Sequence, residues 1–192
     1  MPRGVVETKR ALIVVRTYPI PAKSSIEASC TAAITDESNW LRLFPVPWRL
    51  LAADKRFRRY QWVEVSVVKA RDHRPESYRL NDDGIRIISE PLSTANAWRA
   101  RKDVIFPLRR HCLCCIARAR DEQRYPTLGI FQPKTIERLI IRPDGSAWIS
   151  AQLMALRQMQ IWGKAPTSEL EKVPFAFFTD FGAIMSSAPV MS

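Results

Sequence analysis

The chain has 192 residues, 46% of them hydrophobic, which is enough to build a core and excludes a wholly disordered chain. Its formal net charge is +11, which favours polyanionic partners and makes nucleic acid the first candidate, ahead of anionic lipid. No uncharged apolar run reaches the roughly 18 residues of a membrane span, and the start, MPRGVVETKRALIVVRTYP, is broken by Arg16 and has no small-residue cleavage site. A cytoplasmic protein that does not enter membranes is expected.

The charge is uneven. Residues 1–124 hold 24 Lys and Arg against 14 Asp and Glu, whereas residues 125–192 hold 6 against 5. Cys30 stands alone, and Cys112, Cys114 and Cys115 crowd together. This is not the spaced framework of a secreted disulfide scaffold, and thiols are expected.

In chain order, ALIVVRT (11–17) reads as a buried strand. Pro19 and Pro21 then force an extended connector. EASCTAAIT (27–35) and WLRLFPV (40–46) read as a hairpin around the turn DESN. In the return strand Trp40, Arg42 and Phe44 fall on one face and Leu41 and Leu43 on the other. The aromatic face is either a platform for bases or a second buried surface with Arg42 reaching solvent. Pro47 opens PWRLLAADKRF, expected as a short helix with Leu50, Leu51 and Phe57 buried. Lys55, Arg56, Arg58 and Arg59 form a dense cationic cluster, suited to a phosphate backbone.

YQWVEVSVV (60–68) alternates cleanly, with Val63, Val65 and Val67 on one face. Residues 69–84 read as a polar connection and IRIISEP (85–91) as a strand. From Ser93 the period changes. Helices are expected over 93–105, 107–123 and 147–162, and strands over 135–145 and 173–181. The fold class is therefore α+β and β-rich: one or more OB-like small β-barrels with two to four accessory helices. Residues 1–92 form a basic barrel half, 93–181 a mixed second half, and 182–192 a loose tail.

RTYPIPAKS (16–24), CTAAITDESNWLRLFPVPWRLL (30–51), FRRYQWVEV (57–65), DHRPESYR (72–79) and TLGIFQPKTIE (127–137) together carry a family resemblance. They resemble an uncharacterised bacterial family with a dual OB-containing domain, associated with mobile elements and phage-defence loci. The resemblance implies two interlocked OB-like barrels, the second within 93–181, and a link to nucleic acid. It implies no catalytic residues.

Little in the sequence points to catalysis. There are six glycines and no phosphate-binding loop. No acid pair is spaced for a metal-dependent nuclease, and His73 and His111 lack the surroundings of a general base. His111, Cys112 and Cys115 are weak metal candidates, and no cofactor is expected. The expected function is a non-catalytic nucleic-acid-binding module that favours single-stranded DNA or RNA. Arg42, Arg49, Lys55, Arg56, Arg58, Arg59, Arg74 and Arg79 would supply charge, and Trp40, Phe44, Trp48 and Trp62 would stack on bases. The alternatives are a protein-interaction subunit of a defence, counter-defence or CRISPR-type ribonucleoprotein assembly and, more weakly, a nuclease.

Overall fold

A computed structural model describes residues 5–22, 25–123, 126–150, 152–154 and 170–182. Five long strands close a barrel: β1 (Val6–Arg16), β3 (Ser25–Thr35), β4 (Trp40–Val46), β5 (Trp62–Lys69) and β6 (Ser77–Ile87). A short β2 (Ile20–Ala22) pairs only with β3. Around the barrel the order is β1-β3-β4-β6-β5 and back to β1, and every pairing is antiparallel except β4 with β6. This Greek-key closure is consistent with an OB-like small barrel. β1 closes it by serving two neighbours, with residues 6–12 on β5 and residues 11–16 on β3, and its register shifts between Ile13 and Val15.

Alternation along the strands builds two cores. The inward set, Ala11, Ile13, Ala33, Leu41, Leu43, Val63, Val65 and Val67, fills the barrel. The outward set, Leu12, Val14, Ala32 and Ile34, forms a second core with Trp40, Tyr60 and Trp62, roofed by Leu92, Val104, Ile105, Leu108 and Leu128. The start of the second half, from Leu92 to Leu108 together with Leu128, is thus packed on the barrel's outer wall.

The connection between β4 and β5 is not the expected helix. It makes two single 3-10 turns, Trp48–Leu50 and Ala53–Lys55, separated by extended backbone at Leu51 and Ala52 (ψ 148° and 151°). Leu51 and Phe57 are buried in the barrel core, and burying both pulls the chain across the barrel's end as a plug. β6 begins at Ser77, well inside the stretch expected to be a polar loop. Gly84 lies so close to β5 that a Cβ there would stand 2.6 Å from the Ser66 Cβ.

Beyond the barrel, α1 (Ala95–Ile105) has left-handed backbone at Asn96, Ala97 and Trp98, so its regular part starts at Arg99. The helix expected from Pro107 starts later, as α2 (Leu113–Gln123). A 3-10 turn at Phe106–Leu108 and β7 (Arg109–Arg110) precede it. β7 pairs in parallel with β8 (Ile130–Phe131), and β9 (Thr135–Pro143) pairs antiparallel with β10 (Phe175–Gly182). Among the described residues no second barrel closes. Most of the helix expected over 147–162 and the tail after Gly182 lie outside the described residues.

The two halves are tied at Glu76, in the RPESYR segment. Its buried carboxylate accepts a hydrogen bond from the Thr127 backbone N–H at 2.8 Å and another from the Thr127 hydroxyl. Glu76→Ala should cost about 1–3 kcal/mol by leaving the Thr127 donors unmatched. Amide exchange around residues 126–131 should accelerate, and unchanged protection there would show that the tie carries no stability.

Candidate functional site

A cavity of about 850 Å³ opens at the end of the barrel where β1 exits and the β4–β5 plug returns. β1 delivers Arg16, and the connector behind it delivers Tyr18. The plug delivers Trp48, Arg49, Arg58 and Arg59. The Arg16 guanidinium lies 3.8 Å from the centre of the Trp48 ring, and the Trp48 Nε1–H donates to the Phe57 carbonyl at 2.9 Å. Trp48 is therefore fixed at both its ring face and its N–H. It orients an arginine and does not offer that face to a base. Tyr18 is half exposed, and its hydroxyl donates to the Glu171 carbonyl at 2.8 Å.

Arg49 is anchored from below. It pairs at 3.3 Å with Glu27, a fully buried side chain on β3. Burial pushes the Glu27 carboxyl above its ordinary value, against the pull of Arg49 and Arg16. Burial likewise lowers Arg16 from its ordinary value, opposed by Glu27 and reinforced by Arg59. An arginine stays charged regardless. Arg58 is held at its backbone, whose N–H donates to Gln61 Oε1 at 2.5 Å, while its exposed head pairs with Glu90 at 2.9 Å. Arg59 is exposed and lines the cavity without an ion pair among the described residues.

Of the twelve residues nominated from sequence, the cavity gathers four: Trp48, Arg49, Arg58 and Arg59. Arg56 braces the plug, donating to the carbonyls of Leu51 at 2.9 Å and Arg49 at 3.0 Å, and Lys55 beside it is half-buried. Arg42 is a structural cation. It donates to Ser77 Oγ at 2.9 Å, pairs with Asp72 at 3.6 Å and covers the Phe44 ring at 4.9 Å. Arg74 belongs to the β5–β6 loop, where its N–H donates to Asp72 and its carbonyl accepts from Lys69. Arg79 is exposed on β6. Trp40 and Trp62 pack in the outer core, with Arg10 5.4 Å from the Trp62 ring centre, so the two tryptophans do not form an open platform.

The nominations omitted Arg16 and Tyr18. Their available signal was an arginine closing an apolar strand just ahead of Tyr-Pro. The expectation of free thiols is corrected at one pair. Cys112 and Cys115 are joined as a disulfide, because their CxxC spacing at the start of α2 brings the Cα atoms to 5.2 Å. Cys30 and Cys114 are free, and His111 is exposed.

No helix among the described residues is long and apolar enough to cross a membrane. No curated protein and no solved structure matches the chain. A family model described as a domain of unknown function, DUF8758, matches residues 7–107, more than half of the chain and inclusive of Arg16, Tyr18, Trp48, Arg49, Arg58 and Arg59, and the chain belongs to that family.

Proposed function

We propose that this protein is a non-catalytic nucleic-acid-binding module of OB-like architecture that holds a single strand at the mouth of its barrel. The observation that carries the reading is the cavity with four arginines from two separate elements, Arg16, Arg49, Arg58 and Arg59, in a chain of net charge +11. Arginines held by Trp48 and Glu27, beside exposed Arg58 and Arg59, offer phosphate contacts that position a strand without reading its sequence. Tyr18 offers the exposed ring. One ring and a compact cavity suit an unstacked strand better than a duplex. A role in bacterial defence or mobile elements rests on the family resemblance alone.

The test is anisotropy of labelled single-stranded DNA, RNA and duplex between 50 and 200 mM salt, with about four phosphate contacts predicting a log–log slope near −3 for a single strand and a loss of about 50-fold across that range. Arg59→Gln should reduce the slope by about 0.7. Absence of binding to any of the three at low salt would sink the proposal. The interaction-subunit reading draws on a different surface. One face of the β9–β10 ribbon exposes Leu139, Ile141, Phe175 and Phe177, and such patches mark protein contacts. A nuclease would reveal itself by cleaving the same labelled strands in magnesium or manganese.

A further inference from the structure

Outside the matched family region, α2 begins with three cysteines in four residues, Cys112, Cys114 and Cys115. Their sulfur atoms all lie within 4.8 Å of one another. Cys112 is buried, Cys115 half-buried and Cys114 exposed. The Cys115 backbone N–H donates to Cys112 Sγ at 3.0 Å, so Cys112 occupies the capping position of the helix. Sulfurs around one tetrahedral zinc ion stand about 3.8 Å apart, given Zn–S bonds of about 2.3 Å, so the three lie close to the spacing that such an ion requires.

We propose that Cys112, Cys114 and Cys115 form a thiolate site for a zinc-class cation, gated by the Cys112–Cys115 disulfide. In the oxidised form two of the three donors are bonded to each other and the site is closed. A dithiol reductant opens it: two electrons and two protons convert the disulfide to two thiols, and the reductant becomes a disulfide. The cation then displaces the thiol protons to solvent and takes three sulfurs, leaving one tetrahedral position for water. Binding would pin the first turn of α2, whose Ile116 borders a cleft of about 330 Å³ with Trp40 and Leu108. The cluster would thereby couple thiol state to how firmly the second half grips the barrel wall.

The experiment is a Co²⁺ titration of the full chain after reduction and anaerobic removal of the reductant, followed by competition with Zn²⁺. One equivalent of Co²⁺ should produce a sulfur-to-metal charge-transfer band, which Zn²⁺ should abolish and which the oxidised protein should lack. Cys114→Ser is the decisive variant, because Cys114 is exposed and unbonded and its loss leaves the fold intact. It should weaken the band by about a third and the affinity by at least tenfold. Cys30→Ser should change neither. Zinc should also raise the thermal midpoint of the reduced wild type, as any ligand of the native state does. A reduced wild type without the band overturns the proposal, as does an unchanged band in Cys114→Ser or one lost in Cys30→Ser.

Discussion

Replacing Arg49 by alanine should cost about 3–5 kcal/mol, the penalty for stranding one partner of a buried ion pair. The partner is Glu27, fully buried on β3 and 3.3 Å from Arg49, which in the variant keeps the Arg49 backbone and the Arg16 charge but loses the guanidinium. Glu27 already has a carboxyl raised above the ordinary range by burial, with Arg49 and then Arg16 restraining the shift. The pH dependence follows from that direction. A carboxyl with a higher proton affinity folded than unfolded gives stability that is fully present below the unfolded value, about 4.3. That stability is lost as pH rises through the folded value. In wild type the Glu27 contribution is therefore lost above the ordinary carboxylate range, and removal of Arg49 moves the upper edge of the window higher. Urea unfolding at pH 5 and pH 8 should show Arg49→Ala more damaging at the higher pH. Glu27→Gln/Arg49→Ala should recover at least about 1 kcal/mol through coupling of adjacent groups. Equal losses at both pH values, or no recovery in the double variant, would show that the pair does not hold this end of the barrel.

Arg49 also illustrates what its sequence neighbourhood conceals. The basic run Lys55–Arg59 and the residues just before it look uniform, yet the fold gives them different work. Arg58 and Arg59 line the cavity, Arg56 braces backbone, and Arg49 is tied to an acid 22 positions earlier. Arg42 stands between two aromatics in sequence, which invites a stacking role. Its partners Asp72 and Ser77 lie 30 and 35 positions later, where no local pattern reveals them. By contrast, the inward faces of β4 and β5 were legible, because a period of two survives whatever packs outside. Trp40 and Trp62 belonged visibly to the other face, but whether that face met solvent depended on Leu108 and Leu128 from the second half.

Two elements were misread for physical reasons. The plug has helix-forming residues, but a helix there would not place both Leu51 and Phe57 under the barrel rim, and tertiary burial outweighs local propensity. β6 resembled a loop because Asn81–Gly84 looks like a turn. It is an irregularity within a strand, where Asp82 takes a positive φ of 51° and the β5–β6 register shifts. CxxC spacing was obscured by Cys114, which made the cluster look like crowded thiols with no disulfide spacing.

Phe57→Ala should cost the plug as much stability as the loss of Arg49, and it separates fold from binding in a way a charge change cannot. Phe57 is 2% exposed, packs in the barrel core and lines the cavity, and its carbonyl fixes Trp48. Truncating a buried phenylalanine costs about 3–5 kcal/mol, which for a chain of this size lowers the thermal midpoint by roughly 6–20 °C. The four arginines keep their charge and Trp48 keeps the Phe57 carbonyl, but the cavity loses a lining ring and the core on which Trp48, and through it Arg16, is packed is weakened. Measured at low temperature, where the variant stays folded, affinity for a single strand should fall by roughly tenfold because ordering must now be paid at binding. The salt slope should stay near that of wild type, since the count of cations is unchanged. Arg59→Gln should do the reverse, keeping stability while flattening the slope. If Phe57→Ala binds as tightly as wild type, the plug is scaffold only and the cavity does not position the strand. If it loses less than about 1 kcal/mol, Phe57 is not the closure of the barrel that its burial indicates.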